Sequence, residues 1–273
     1  MTIYASTKMD ITCYLEWFKN RLKQGFFDKE VNEKTINRYH FEKTDKIILY
    51  TRNPEKLYRE RLFFSDYNVD LITFISMYDK FFEPEIKNKL NIIDEIKKCK
   101  KYFNNYLGYG PIFFTEIHNK EWHKQQFEFL CNILHKYIKG VYISFSINTY
   151  CQKNTKIKAY QLMGDEQKQI YGEFKTICDK YGLELYIMKT ESSFNDDEID
   201  IGITNCCPNV CEYCPYVINK KAIKQKYKIL DSSNTLLYGM ISKNQKIKDI
   251  NLENKPVDKN VETNTQLNLF TLL

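Results

Sequence analysis

Residues 46–57 read Lys-Ile-Ile-Leu-Tyr-Thr-Arg-Asn-Pro-Glu-Lys-Leu. The run Lys46–Thr51 is short and rich in β-branched and aromatic residues, the composition of a strand buried on both faces. Pro54 follows where proline is favoured, in the first turn of a helix. The unit is therefore a strand, a brief polar loop and a helix. It recurs in both directions along the chain. Upstream, residues 3–6 read as a strand, and Tyr14, Leu15, Phe18 and Leu22 form the apolar stripe of a helix. Downstream, residues 70–76, 109–114, 141–147 and 183–188 read as strands. A Lys-rich helix is expected near 85–102, and further helices over 122–137 and 165–181. Residues 198–203, Glu-Ile-Asp-Ile-Gly-Ile, form the last strand. No short hairpin turn separates these strands, so about seven repeats of the unit imply parallel strands with helical crossovers. A closed or partly open (β/α) barrel fits this pattern best, with a doubly wound sheet as the alternative. In both, functional residues gather at the C-terminal ends of strands. Residues 1–242 read as one domain, and 243–273 as an irregular extended tail with an apolar cluster at Leu267, Leu269 and Phe270.

A chain of 273 residues is long enough for one large α/β domain and short for two. The formal charge of +6 permits a polyanionic partner without requiring one. Ile, Asn and Lys are abundant, as AT-rich coding DNA would produce, so the lysine count alone carries no functional weight. No stretch has the length or apolarity of a signal peptide or a membrane span. Nine cysteines is an odd number, and Cys13, Cys99, Cys131, Cys151 and Cys178 are scattered singly. That is no disulfide framework, and the expected location is the reducing cytoplasm.

The remaining cysteines are concentrated. After the last strand the chain reads Asn205-Cys206-Cys207-Pro208-Asn209-Val210-Cys211-Glu212-Tyr213-Cys214. Cys207, Cys211 and Cys214 form Cys-x3-Cys-x2-Cys. Thiolates select soft or borderline metals. Iron–sulfur cubanes usually take four cysteine ligands. Three thiolates would leave one iron with an open coordination position, where a substrate or cofactor can bind. A structural zinc with a fourth ligand from elsewhere remains the alternative. Cys206 is adjacent to Cys207 and, on an extended chain, points to the opposite side.

This spacing, with aromatic Tyr213 before the third cysteine, resembles the signature of the radical S-adenosylmethionine superfamily. The resemblance implies a 4Fe–4S cluster on Cys207, Cys211 and Cys214, with Tyr213 packed beside the cofactor. It further implies that the open iron chelates the methionine end of S-adenosylmethionine. The reduced cluster, supplied by an electron donor, then cleaves the sulfonium to a 5′-deoxyadenosyl radical.

The chain as a whole is similar to the bacterial family called domain of unknown function 1848. Family-like segments are Ser6-Thr7-Lys8-Met9-Asp10-Ile11 followed by Trp17-Phe18, and Tyr50-Thr51-Arg52-Asn53-Pro54. Ile199-Asp200-Ile201-Gly202, Asn234-Thr235-Leu236-Leu237 and the ending at residues 266–270 complete the set. Three features depart from it. Gly108-Tyr109-Gly110-Pro111 stands where the family carries Arg-Tyr-Asp-Pro, Lys8 replaces an arginine pair, and residues 190–197 lack the family's extra cysteines. These departures bear on catalysis more than on metal binding, and no substrate comes with the resemblance.

In the usual radical enzymes the cluster loop follows the first barrel strand, whereas here it follows the last. The resemblance therefore implies a circularly permuted partial TIM barrel of radical-SAM type, with strand 3–6 beside strand 198–203. Ser6, Lys8 and Asp10 would then line the cofactor mouth, joined by Thr51 and Asn53. Asp10 also fits a helix N-cap, Thr51 and Asn53 also fit a turn before proline, and Asp200 fits either loop orientation or a charge pair. His118 and His123 are five apart and so do not share a helix face. A nucleic-acid-binding module is the rival reading. Lys220, Lys221, Lys224, Lys226 and Lys228 would follow a phosphate backbone, with Tyr216 and Tyr227 for stacking. The ordinary reading of these lysines is a solvated helix face.

Overall fold

The computed structural model describes residues 1–86, 88–145, 147, 158–189, 193–228 and 230–250. Seven strands form one parallel sheet: β1 (Thr2–Ala5), β4 (Lys46–Thr51), β5 (Asn68–Phe74), β6 (Asn104–Tyr109), β7 (Gly140–Ile143), β8 (Glu184–Ile187) and β9 (Glu198–Asp200). Their spatial order is β8-β7-β6-β5-β4-β1-β9. The last strand thus lies beside the first, with Thr2 opposite Glu198, Ile3 opposite Ile199 and Tyr4 opposite Asp200 in parallel register.

Which side the helices take separates the two candidate architectures. Ile3, Ile47, Leu49 and Leu71 pack with Trp17 and Phe18 of α1 (Leu15–Gln24) and Leu57 of α2 (Pro54–Arg59). Leu107, Tyr109, Val141 and Leu185 pack with α4 (Lys89–Cys99), α5 (Lys120–Leu134) and α6 (Gly164–Lys180); α3 (Arg61–Phe64) is one turn following α2. The alternate residues Tyr4, Ile48, Tyr50 and Ile72 form a separate cluster with no helical residue in it, edged by Phe74, Tyr106, Tyr142 and Phe194. A doubly wound sheet buries both faces under helices. Here one face carries the helices and the other is a Tyr-lined concavity, so the sheet is a curled half-barrel. Among the described residues β8 and β9 share no ladder, and the barrel stays open between them.

Several boundaries differ from the sequence expectation. Strand 109–114 is in fact β6, five residues earlier. Asn104 and Asn105 are poor strand residues, and their side chains are used locally: Asn104 donates to Asp70 at 3.0 Å and Asn105 to the Ile96 carbonyl at 2.8 Å. The apolar run Ile112-Phe113 that suggested a strand is a fully buried loop. The absence of hairpins also needs correction. β2 (Phe26–Asn32) and β3 (Thr35–His40) form an antiparallel hairpin. Its turn at Glu33-Lys34 carries no Gly, Pro or Asn-Gly signal. A bidentate pair between Asp28 and Arg38, at 2.8 and 2.9 Å, joins residues directly opposite in register. The tail is not wholly irregular either, since β10 (Lys246–Ile250) pairs in parallel with β3. Leu267, Leu269, Phe270 and Cys151 lie outside the described residues. Before β10, residues 234–237 dock on α1, where the Trp17 indole donates to the carbonyls of Asn234 at 2.9 Å and Leu236 at 3.0 Å.

Candidate functional site

A cavity of about 490 Å³ opens at the C-terminal rim of the half-barrel, a size typical of small-molecule sites. Cys207, Cys211, Cys214 and Tyr213 line one side of it. Ser6, Lys8 and Asp10 from the end of β1, and Thr51 and Arg52 from the end of β4, line the next. Asn53 is not among the lining residues; its amide donates to the Thr51 hydroxyl at 2.8 Å. Cys206 lies in the core beneath α1. Its carbonyl accepts the Tyr14 hydroxyl.

Burial raises the thiols of Cys207, Cys211 and Cys214 above the ordinary cysteine value. For Cys211, pushed up to about 12, the Arg52 charge acts in the opposite direction. Buried thiols of this kind ionise when a metal replaces the proton. Among the described residues no three His, Cys, Asp or Glu side chains converge as a single bound ion requires. The three thiols nonetheless border one cavity and act on one another electrostatically. A cubane engages each thiolate at a different iron, so its ligands need not converge on one point. The donor set and the space beside it fit a three-thiolate cluster.

Asp10 fastens the rim. Its carboxylate accepts the Thr12 amide at 3.0 Å, the Thr51 hydroxyl at 2.9 Å, the Arg52 amide at 2.8 Å and the Asn209 side chain at 3.2 Å. It is an N-cap, to the 3-10 turn Ile11–Tyr14, and it also ties β1, β4 and the cysteine loop together. Asp200 has a similar place at the end of β9. It accepts the Thr7 amide at 3.2 Å and the Gly202 amide at 2.7 Å. A Cβ at Gly202 would collide with the Ser6 side chain, so glycine lets β9 and β1 run on in contact towards the cysteines.

The other flank rests on residues that the sequence did not single out. Glu83, 1% exposed, accepts the Arg52 guanidinium at 2.7 Å, the Lys89 ammonium at 2.7 Å, and the hydroxyls of Ser76 and Tyr213. The Arg52 guanidinium stands 5.7 Å from the Tyr213 ring and 5.8 Å from that of Phe74. Burial opposes its charge, but Tyr213, Glu83, Cys211 and Cys207 outweigh that and raise its pKa. A signal for Arg52 existed, because Ile48 and Tyr50 face the concavity and the strand period of two places residue 52 on the same face. Glu83 sits in an irregular loop with no period to expose it.

The rim of the rival reading is sparser. α7 (Lys220–Lys228) carries the lysines. Lys220 and Lys221 are exposed, and Lys220 pairs with Glu212. The side chains of Lys224, Lys226, Tyr227 and Lys228 lie outside the described residues, and Tyr216 lines the cavity instead of a helix face. No helix among the described residues is long and apolar enough to cross a membrane.

A family model described as Domain of unknown function (DUF1848) matches residues 2–199. The chain belongs to the DUF1848 family. The matched residues of this DUF1848 chain cover β1 to the middle of β9 and stop before the cysteine loop. No curated protein matches the chain. Among solved structures it is similar to a cysteine-to-alanine mutant of spore photoproduct lyase with dinucleoside spore photoproduct. Sequence identity is 10% and the TM-score 0.42, over 52% of this chain. The chain spans about half, 51%, of that structure.

Proposed function

We propose that this protein binds a 4Fe–4S cluster through Cys207, Cys211 and Cys214 and uses it in radical S-adenosylmethionine chemistry. One observation carries the proposal. The three thiols of a Cys-x3-Cys-x2-Cys loop border the same cavity as the β1 and β4 strand ends, at the rim where parallel barrels place their chemistry. When bound, a reduced cluster with S-adenosylmethionine would supply a carbon-centred radical, given a one-electron donor.

The chain's own groups would prepare that site. Asp10 has its lone pairs committed to Thr12, Thr51, Arg52 and Asn209, so its work is to hold the rim rather than to move a proton. Tyr213, its hydroxyl on Glu83, fixes the loop between the second and third cysteines. Ser6 and Lys8 offer polar contacts at the mouth, while Tyr50 and Phe74 close the floor with apolar surface. None of the eight described cysteines is in a disulfide.

Anaerobic purification with metal analysis tests the reading. About four irons with matching acid-labile sulfide per chain are expected. S-adenosylmethionine should then change the electron paramagnetic resonance spectrum of the reduced cluster. Stoichiometric zinc without sulfide would overturn it and favour the nucleic-acid reading. An unchanged spectrum at saturating ligand would mean a fourth protein ligand.

A further inference from the structure

The buried charges on the Tyr213 side of the cavity do not balance. Arg52 and Lys89 bring two cations to a single carboxylate, Glu83. The other two partners of that carboxylate, Ser76 and Tyr213, are neutral hydroxyls. Asp10 is close by, but only the backbone amide of Arg52 reaches it; the guanidinium turns the other way, towards Glu83 and the Gly110 carbonyl. Arg52 lines the cavity, while Lys89 sits behind Glu83, where its ammonium also meets the Tyr78 carbonyl. Arg52 thus presents its positive charge on the cysteine side, where Asp10 brings a negative one to Cys207. Arg52 shares its counter-ion Glu83 with Lys89, and its charge lies where Cys207 and Cys211 feel it.

We infer that Arg52 and Glu83 are an opposed pair of positioning residues that set the reduction potential of the cluster, Arg52 raising it and Glu83 lowering it. The inference rests on the cluster assignment above. Three thiolates outweigh the charge of an oxidised cubane core, and an added electron deepens the negative charge. A fixed cation beside the thiolates therefore stabilises the reduced form more than the oxidised form, and a fixed anion does the reverse. In a water-poor wall these interactions are far less screened than at a surface. Net charge around a cluster is among the main determinants of its potential. The carboxylate also attenuates the arginine, so the pair sets the potential between the values either would give alone.

The signs make the test specific. The full chain, reconstituted anaerobically with iron and sulfide, is poised at a series of potentials and the reduced fraction read by electron paramagnetic resonance. Arg52→Gln should lower the reduced-to-oxidised ratio at fixed potential by about tenfold or more, a shift of about 59 mV for one electron. Glu83→Gln, which keeps the shape and an acceptor for Tyr213, should raise it comparably. The double variant should return towards wild type, and Arg52→Lys, which keeps the charge, should stay near it. Loosened packing or admitted water would move both single variants in the same direction. A shared direction, or no shift in either with iron and sulfide intact, overturns the inference alone. A wild-type chain that takes up neither iron nor sulfide overturns the cluster assignment and this inference with it.

Discussion

Asp10 and Glu83 are both buried carboxylates at the rim of one half-barrel, 6% and 1% exposed, and they are satisfied in opposite ways. Asp10 is held by amides and hydroxyls, all neutral. Glu83 is held by two cations and two hydroxyls. The first arrangement fixes geometry through dipoles drawn from three chain segments. The second sets a field, since its partners carry charge of their own. A rim that must hold a loop still and also control its electrostatics has divided these tasks between β1–β4 and the β5–α4 loop.

The largest expected effect comes from breaking the charged half. Glu83→Ala leaves Arg52 and Lys89 buried without their anion and should destabilise the chain by roughly 3–5 kcal/mol, measured by chemical denaturation. Asp10→Ala orphans only neutral donors beside an open cavity, where water can replace the lost oxygens. A smaller loss of about 2–3 kcal/mol is expected, with iron content unchanged because Asp10 is no ligand. Equal losses would show that the charge difference between the two carboxylates has no energetic consequence.

The same contrast can be sharpened with pH. Burial alone would raise the Glu83 pKa, but Arg52 and Lys89 outweigh it and hold the carboxyl below the ordinary glutamate value. A lowered folded-state pKa stabilises the fold above the ordinary value, and that stabilisation is lost as pH falls through the lowered one. Glu83→Gln should therefore flatten the acid limb of the stability profile. Asp200 has the opposite sign. Burial raises its pKa despite donors from Thr7, Gly202 and Ser6, so its contribution falls as pH rises through the raised value. Asp200→Asn should steepen the acid limb. Parallel changes in the two profiles would contradict these assignments.

The neutral half of the rim was the legible half. Asp10, Thr51 and the cysteines sit next to strand ends, and each follows a short run whose composition marks a strand. The pairing of β9 with β1 followed from the order of parts, and the register agrees. The charged half was hidden because Glu83 lies in a loop whose path depends on packing: Tyr78 and Phe82, both just before it, bury against Phe113. The hairpin was missed for a related reason. Asp28 is 3% exposed and reads as a surface residue until Arg38 appears opposite it. Buried polar pairs are specified by their partners, and a partner ten or thirty residues away leaves no mark at either position.

The smallest effects test whether charge makes Glu83 tolerant of losing one neutral donor. Ser76→Ala removes the Ser76 hydroxyl from Glu83 and leaves Arg52, Lys89 and Tyr213 in place. Charge-assisted bonds are about twice as strong as neutral ones, so the carboxylate stays well solvated by its remaining partners. A loss of about 1 kcal/mol or less is expected. Thr51→Val makes the matching change at Asp10, with two consequences. The carboxylate loses the 2.9 Å hydroxyl donor, and the Asn53 amide loses the oxygen it donates to at 2.8 Å. The donors that remain on Asp10 are neutral, so the loss should be larger, about 1.5 kcal/mol. Valine matches threonine in shape, which leaves hydrogen bonding as the difference. If Ser76→Ala proves the costlier of the two, the charged partners do not buffer Glu83, and the division of labour across the rim is wrong.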